Sequence, residues 1–341
     1  MEDFDDTPFD PEAVVAGCWL PGPYGSDDQR GSWNEVTPEK TAAALARLDA
    51  QRPVRSYDLS ETLSNDFPSM PGRHYEQVLS IRGCPPPEGF EGTSLSTEPL
   101  GPYQICSLEE RVSTTYNIGT KINGLHHVGI AGKVYNGFDV REIARSWGTT
   151  HLGNETQGPI VTRGVVLDVL GQKVAAGNEA HIEWLPHGRP MLREKYRIRV
   201  EDIEAALDFA AIRDPIGPGD AVLFRTGWRE LIATDPDRYC TSLQAGPYLR
   251  ECRYLASRRP ALIASDSRVF GAAREDMAAS MLPHQELAVR YGIRVGEGLR
   301  SDPLVEDGIF DFVFCWAPQN ARGAVSGNSP PIALGQPRGG A

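Results

Sequence analysis

The chain has 341 residues, of which 40% are hydrophobic and 23% are charged, as in an ordinary globular protein. Its formal net charge of -12 argues against nucleic acid and anionic membrane surfaces as partners, because both bind basic faces. No apolar stretch approaches the ~18 residues of a membrane-spanning helix, and the acidic start lacks the basic and apolar parts of a secretory signal. The six cysteines are scattered without a C-x-x-C pair, as buried reduced thiols are. We therefore expect a cytoplasmic protein that acts on a small-molecule substrate, with no nucleic-acid or membrane partner.

The first 50 residues differ in character from the rest. Residues 1 to about 35 are rich in Pro, Gly and Asp, which predicts an irregular arm that wraps the domain or a neighbouring subunit. Thr37 to Asp49 is predicted to be a helix, with Thr37 as its N-cap and Pro38 at the first helical position. We expect residues 1–50 to form an arm and helix, 51–335 the catalytic domain, and 336–341 a tail.

Apolar runs and helical patterns alternate along the rest of the chain. The first predicted elements are a strand over 55–63, a Pro-rich loop over 67–72 and a surface excursion or lid over 85–102. Buried strands are predicted over 160–169, 221–226, 261–265 and 310–317. Helices are predicted over 200–211 and 284–291. Several strands follow one another closely, so the sheet is expected to be mixed. The pattern predicts an α/β fold: one domain with a mixed β-sheet flanked by helices.

Common catalytic motifs are missing from the sequence. It contains no G-x-G-x-x-G after a strand, no G-x-x-x-x-G-K-[ST] and no G-x-S-x-G. Nucleotide cofactors and α/β-hydrolase chemistry therefore have no local support.

The segment Tyr116 to Gly129, Y-N-I-G-T-K-I-N-G-L-H-H-V-G, is unusually polar for a stretch between buried strands. In an extended chain, Asn117, Lys121, Asn123 and His127 share one face. A solvated surface strand could carry such a face at no cost, so the pattern alone leaves a structural and a functional interpretation open.

The same segment resembles the signature H-x-G-T-H-x-D-x-P-x-H of the cyclase family, which contains bacterial kynurenine formamidases and isatin hydrolases. Gly119 and Thr120 match it. The family's three metal-ligand positions fall on Asn117, Lys121 and Asn123, and its acid/base histidine falls on His127.

Further blocks follow in the family's order, as in its longer-chain branch, and together they cover roughly residues 55 to 335. They are 57–60, 68–72, 135–137, 159–164, 218–228, 283–284, Glu297 and 327–332. The resemblance implies a swivelling β/β/α fold and a homodimer or homotetramer.

All three ligand positions depart from the family pattern. Amide oxygens are weak metal ligands, and a Lys ammonium has no lone pair to offer. Only His284 and Glu297 remain of the family's usual set, so we expect no cofactor, with a divalent metal (Zn or Mn) at His284 and Glu297 as the alternative. Lys121 could replace the metal by stabilising an oxyanion or enolate, or act as a base or Schiff-base former once deprotonated. An ion pair between Lys121 and Glu297 is the compatible structural interpretation.

The remaining polar residues are assigned by position. His127 is the leading acid/base, because imidazole titrates near neutral pH. His284 is either a second acid/base, oriented by Asp266, or a buried structural histidine. His126 points to the opposite face of an extended segment and is a weaker substrate-binding candidate. Arg163 and Arg225 either bind a substrate carboxylate or form structural salt bridges. Asn117 and Asn123 complete the predicted substrate-binding set.

Three functions follow from this set. The first is a metal-independent enzyme of specialised metabolism that uses Lys121, His127, His284 and Glu297 for cyclisation, dehydration, elimination or isomerisation of a small carbonyl or amide compound. The second is a metal-dependent amide or lactam hydrolase of the kynurenine formamidase or isatin hydrolase type. The third is a non-catalytic protein that binds a small molecule.

Overall fold

A nine-stranded sheet is the centre of the protein in a computed structural model, which describes residues 4–337. Its strands are β1 (Arg55–Asp58), β2 (Lys121–Asn123), β3 (Ile160–Leu167), β4 (Ala221–Phe224), β5 (Leu262–Ser265), β6 (Arg294–Glu297), β7 (Asp311–Trp316), β8 (Ser326–Gly327) and β9 (Ile332–Gly335). They lie in the order β1-β9-β7-β3-β4-β5-β6-β2-β8. Neighbours from β3 to β6 are parallel and all others in this sheet are antiparallel. The predicted mixed sheet is confirmed.

Both faces of the sheet are buried, which explains the continuous apolar runs of its central strands. Along β3, Val165 and Leu167 face one core, and Val166 faces the other. The first core contains helices over 200–209 and 249–256, and the second contains Trp33, residues between β6 and β7, and residues of β7. The sheet is therefore flanked on both sides, as the α/β prediction requires.

The helices fill the connections between strands. The α-helices are Pro11–Val15, Pro38–Leu45, Val140–Ile143, Val169–Ala175, Val200–Phe209, Leu231–Thr234, Pro236–Thr241, Leu249–Ala256, Met277–Gln285 and Asp302–Glu306. A π-helical turn spans Glu286–Arg290. The 3₁₀ turns are Gly31–Glu35, Tyr135–Gly137, Asn154–Thr156, Glu179–His181 and Trp228–Glu230. Thr37 caps the second helix by accepting a hydrogen bond from the Lys40 amide, as predicted.

One helix was placed wrongly from the sequence. Pro283-His284 was predicted to open a helix over 284–291, but the helix begins at Met277 and passes through Pro283. Proline removes the hydrogen bond that the carbonyl of Ala279 would otherwise accept. The hydroxyl of Tyr248 donates to this carbonyl at 3.2 Å instead, so the helix tolerates Pro283. The α-helix ends at Gln285 and continues as the π-helical turn Glu286–Arg290, so the predicted start is wrong but most of the predicted range is helical.

A second, smaller sheet lies at the surface. It pairs Tyr75–Arg82 in parallel with Thr93–Ser96 and antiparallel with Ser107–Thr114. The excursion predicted over 85–102 is mostly exposed, and it contributes the shortest strand of this sheet, Thr93–Ser96, at one edge. Two short hairpins complete the strands: Ala144–Arg145 with Gly148–Thr149, and Ile182–Trp184 with Pro190–Leu192.

The N-terminal arm packs against its own domain. Asp6 pairs with Arg197 at 2.6 Å, and the Tyr135 hydroxyl donates to Asp28 at 2.7 Å. Trp33 is fully buried in the core. The arm therefore wraps the domain over its described part; residues 1–3, and residues 338–341 of the predicted tail, lie outside the described residues.

No helix within residues 4–337 is long and apolar enough to cross a bilayer.

Candidate active site

Lys121 and Glu297 form a buried ion pair at the edge of the sheet. They are direct partners in the antiparallel register of β2 and β6, and Nζ of Lys121 contacts Oε2 of Glu297. Burial lowers the pKa of Lys121, and the guanidinium groups of Arg73 and Arg268 lower it further against the opposing effect of Glu297. Burial alone would raise the pKa of Glu297, but Lys121 and His284 bring it well below its usual value. Glu297 is therefore an anion that holds the Lys121 ammonium, whose pKa lies below that of an ordinary lysine.

His284 contacts the other oxygen of the same carboxylate. Its Nε2 lies 2.8 Å from Oε1 of Glu297, which also accepts the backbone N–H of Phe270 at 3.0 Å. Because an ionised carboxylate only accepts, we assign the proton to Nε2, which leaves a lone pair on Nδ1. That Nδ1 is buried and has no hydrogen-bond partner in the described chain. It is positioned to accept a proton from a ligand.

Asp266 does not orient His284, so that expectation is wrong. The Asp266 carboxylate accepts the amides of Thr226 and Gly227, at 2.9 and 2.7 Å, and the Thr226 hydroxyl at 2.6 Å. Glu297 orients the imidazole instead.

His127 reaches the site by a turn rather than along an extended face. Only Lys121–Asn123 is a strand, and the His127 amide donates to the carbonyl of Gly124 at 3.0 Å. The predicted extended segment from Asn117 to His127 is therefore wrong, although His127 lines the same cavity as Lys121. Burial, and then the charge of Lys121, lower the pKa of His127 to about 3. His127 is a neutral imidazole at physiological pH.

A cavity of about 130 Å³ brings the four predicted catalytic side chains together. Lys121, His127, His284 and Glu297 line its polar part. Its remaining walls are formed by residues that the sequence interpretation did not select: Met70, Arg73, Leu243, Gln244, Arg268, Val269, Ala273, Met277, Ser280 and Met281. The cavity is small, part apolar and part charged, as sites for small metabolites are.

Arg73 and Arg268 are functional candidates that the sequence interpretation missed. Arg268 follows the carboxyl end of β5, a position where α/β sheets commonly place ligand-binding residues. This position after a predicted strand could have identified Arg268 from the sequence. Arg73 directly follows the Pro-rich loop ending at Gly72, and nothing in the local sequence marks it.

The two predicted amides lie beside the cavity. The Ser326 hydroxyl is 3.1 Å from Oδ1 of Asn123 and 3.5 Å from Oδ1 of Asn117. Asn117 lines a narrow extension of about 20 Å³ that also contacts Lys121. Asn123 is buried, and its Nδ2 lacks a hydrogen-bond partner within residues 4–337.

His126 is directed away from the cavity. Its Nε2 lies 3.1 Å from the hydroxyl of Thr149. Burial, and then the charge of Arg294, lower its pKa to about 3. Its predicted role in substrate binding has no support from this placement.

Arg163 and Arg225 are held in structural ion pairs, one of the two alternatives open at the outset. Arg163 binds Asp220 at 3.1 Å and Asp311 at 2.8 Å. Arg225 bridges two buried carboxylates, Asp168 at 3.0 Å and Asp302 at 2.8 Å. Neither arginine lines the cavity described above.

The residues at the family's metal-ligand positions do not fit a metal. A cation placed beside Glu297 meets the Lys121 ammonium, which contacts this carboxylate and repels a metal ion. The flanking residues supply amides, and within residues 4–337 no three His, Cys, Asp or Glu side chains are grouped as metal ligands.

The comparisons with known proteins agree with this architecture. The family model Cyclase, described as "Putative cyclase", matches residues 57–270. A search of proteins with curated functions finds no match.

Solved structures with the same fold cover nearly the whole chain. A structure described as a novel cyclase shares 23% identity with a TM-score of 0.75, over 96% of this chain and 99% of that one. Isatin hydrolase A from Ralstonia solanacearum shares 18% identity with a TM-score of 0.55, over 86% of this chain and 95% of that one. An isatin hydrolase bound to the product analogue thioisatinate shares 16% identity with a TM-score of 0.55, over 88% and 99%. The extent of the family match and the shared fold show that the chain belongs to the cyclase family.

Proposed function

We propose that this protein is an enzyme that performs metal-independent acid/base chemistry on a small carbonyl or amide compound. The reaction is a cyclisation, dehydration, elimination or isomerisation in specialised metabolism. The observation that carries the proposal is the buried ion pair of Lys121 with Glu297, beside two imidazoles that line one small cavity.

Lys121 supplies the positive charge in this scheme. An enolate or oxyanion that develops in the cavity would be stabilised by the ammonium, because the site is buried and weakly screened. The lowered pKa of Lys121 also makes it a better proton donor than an ordinary lysine. Glu297 is a positioning residue that holds both Lys121 and His284.

The two imidazoles move the proton. His127 is neutral because burial and the charge of Lys121 lower its pKa to about 3, and a negative charge that develops on a bound substrate would offset Lys121 and favour proton transfer to the imidazole. His284 offers its unpaired Nδ1 as a second acceptor. Two acceptors and one donor around a single cavity suit removal of a proton at one atom and its return at another.

A metal-dependent hydrolase is the second candidate. It rests first on His284 and Glu297, two of the family's ligand residues, whose Nε2 and Oε1 atoms are 2.8 Å apart. It rests also on the isatin hydrolases among the proteins of similar fold. In this candidate a metal ion would supply the activated water that attacks the amide or lactam carbonyl. The third candidate is a non-catalytic protein that binds a small molecule in the same cavity.

The proposal is tested by proton exchange, which needs no knowledge of the natural reaction. Pyruvate, 2-oxobutyrate and levulinate are incubated with the protein in D₂O and excess EDTA, and loss of the proton beside the carbonyl is followed by NMR. We expect exchange by the wild type, and a loss of about 100-fold in Lys121→Met, the usual size of a lost oxyanion contact. His127→Gln should lose about as much, the range of a general base.

His126→Gln is the matched control, because His126 adjoins His127 but points away from the cavity. It should keep the wild-type rate. If exchange, or ring opening of isatin, appears only with stoichiometric Zn or Mn, the hydrolase is correct and the proposal fails. Two results together would favour the third candidate, a non-catalytic binding protein. The wild type and Lys121→Met would be equally inactive on every compound, and Lys121→Ala and His127→Ala would leave the cell's pathway product unchanged.

A further inference from the structure

We infer that Arg73 and Arg268 bind a carboxylate of the substrate. The inference rests on the proposed function only in placing the substrate in the same cavity. It narrows the substrate class to a small carboxylic acid that carries the reacting carbonyl or amide group on an apolar body.

Both guanidinium groups lie where a ligand would meet them. Arg73 and Arg268 line the main cavity of about 130 Å³ and also its narrow extension of about 20 Å³. Lys121 is common to both spaces. A ligand that contacts Lys121 in either space therefore lies in a cavity that both arginines line.

Neither arginine has a carboxylate partner among residues 4–337. Arg268 donates to the Ser242 carbonyl and contacts the sulfur of Met70, both at 3.2 Å, and its buried Nε has no partner in the described chain. The Arg73 side chain forms no hydrogen bond or ion pair within this part of the chain. By contrast, Arg225 and Arg229 are ion-paired near the same end of the sheet.

The charge balance of the cavity favours an anion. Arg73, Lys121 and Arg268 contribute three cations, and Glu297 is the only carboxylate among the described residues that line the space. Burial lowers the pKa of Arg268, and the charge of Arg73 adds to this effect. Glu297 already serves Lys121 and His284, so a ligand anion would relieve the excess positive charge.

The geometry favours a carboxylate over a larger anion. A guanidinium presents paired N–H donors that match the two oxygens of a carboxylate. Apolar side chains form the wall around the charged groups: Leu243, Val269, Met277 and Met281. An acid with a flat or short apolar body fits a cavity of this volume better than a phosphate ester.

The test measures binding rather than turnover. Benzoate and benzamide have almost the same shape but differ in charge, and phenylphosphonate tests a tetrahedral anion. Binding of each to the wild type is measured by saturation-transfer NMR and isothermal titration. We expect benzoate to bind about tenfold more tightly than benzamide, as loss of one charge-assisted hydrogen bond predicts, and more tightly than phenylphosphonate.

Variants identify the residues responsible. Arg73→Ala and Arg268→Met should each remove most of the preference for benzoate, and Arg73→Ala is safe for folding because its side chain forms no bond in the described chain. Arg111→Ala is the matched control, because Arg111 is an exposed arginine on the outer sheet. It should keep the preference, and melting temperatures confirm that the variants are folded.

Equal binding of benzoate and benzamide, including failure of both to bind, would overturn the inference, as would an unchanged preference in Arg73→Ala and Arg268→Met. Tighter binding of phenylphosphonate would assign the pair to phosphoryl compounds and overturn the carboxylate assignment. The outcome is separable from the proposed function, because His127→Gln should lose proton exchange yet keep the preference for benzoate.

Discussion

Lys121 and Glu297 are paired twice, once by the backbone register of β2 and β6 and once by their side chains. Directly opposed residues on antiparallel strands have their Cβ atoms about 5 Å apart, so the register itself delivers the ammonium to the carboxylate. The pair is almost fully enclosed, with 3% of Lys121 and 1% of Glu297 exposed. Its position is therefore set by the sheet rather than by flexible loops.

Removal of both members of this pair should destabilise the protein by less than the sum of the two single removals. Lys121→Met leaves Glu297 buried with only His284 and the Phe270 amide as donors, and we expect a loss of about 3 kcal/mol in the free energy of unfolding. The double variant Lys121→Met/Glu297→Gln should lose less than the sum of the single variants, because no buried charge is left unpaired. Urea unfolding of the four proteins of the cycle measures this coupling. Additive losses would show that the pair has no net interaction.

The two neighbouring histidines should make stability fall in mild acid. The pKa values of His126 and His127 are lowered to about 3, against an ordinary 6.5 in the unfolded chain. Between these values the unfolded state binds more protons, so the free energy of unfolding decreases as the pH falls from 6.5 toward 3. Each histidine contributes a slope of up to about 1.4 kcal/mol per pH unit. Chemical denaturation between pH 4 and 6 should show a shallower slope for His127→Gln and for His126→Asn than for the wild type. Equal slopes would place these imidazoles in contact with solvent.

The sequence predicted the four central side chains but not the shape that joins them. Lys121, His127, His284 and Glu297 were identified because each falls in an ordered block of the family pattern. The turn from Gly124 to His127 was missed, because the alternation of side chains between the two faces of a strand was assumed to continue beyond Asn123, where the three-residue strand ends. The start of the helix at Met277 was missed because the sequence does not show that the Tyr248 hydroxyl compensates for Pro283.

The two arginines could not be predicted for a different reason. Arg73 and Arg268 are about two hundred residues apart, and each is unremarkable in its own segment. Their proposed role rests on the absence of an ion-paired carboxylate for either side chain among residues 4–337, which only the folded arrangement shows. Arg163 and Arg225, which were selected from the sequence, lie next to acids that only the fold brings near them.

Restoring the family's donors should create a metal site where Lys121 now lies between two asparagines. The triple variant Asn117→His/Lys121→His/Asn123→Asp replaces an ammonium and two amides by two imidazoles and a carboxylate near Glu297. We expect it to retain about one equivalent of Zn per chain after dialysis, measured by elemental analysis. Lys121→Met, which removes the charge without adding a donor, is the control and should retain little. If the wild type retains as much Zn as the triple variant, the conclusion that its residues do not fit a metal is wrong.

Gly298 should prove essential for the position of the ion pair, because its backbone packs directly on Gly119 and Thr120, the two residues that precede β2. Its φ is +65°, and a Cβ at this position would lie 2.7 Å from the carbonyl oxygen of Gly119. Its own carbonyl accepts the Thr120 hydroxyl at 2.5 Å. Gly132 has a similar φ of +85° but open space around it, so Gly132→Ala isolates the cost of the left-handed conformation, about 1–2 kcal/mol.

Gly298→Ala should lose that amount and at least about 2 kcal/mol more, because backbone rather than a flexible side chain has to move. The displacement falls beside Glu297 and Lys121, so proton exchange should also drop by about tenfold or more, as small misplacements of catalytic groups cause. Urea unfolding and the exchange assay are run on both variants. If Gly298→Ala and Gly132→Ala lose the same stability and keep the same rate, the close approach of Gly298 to Gly119 does not position the site.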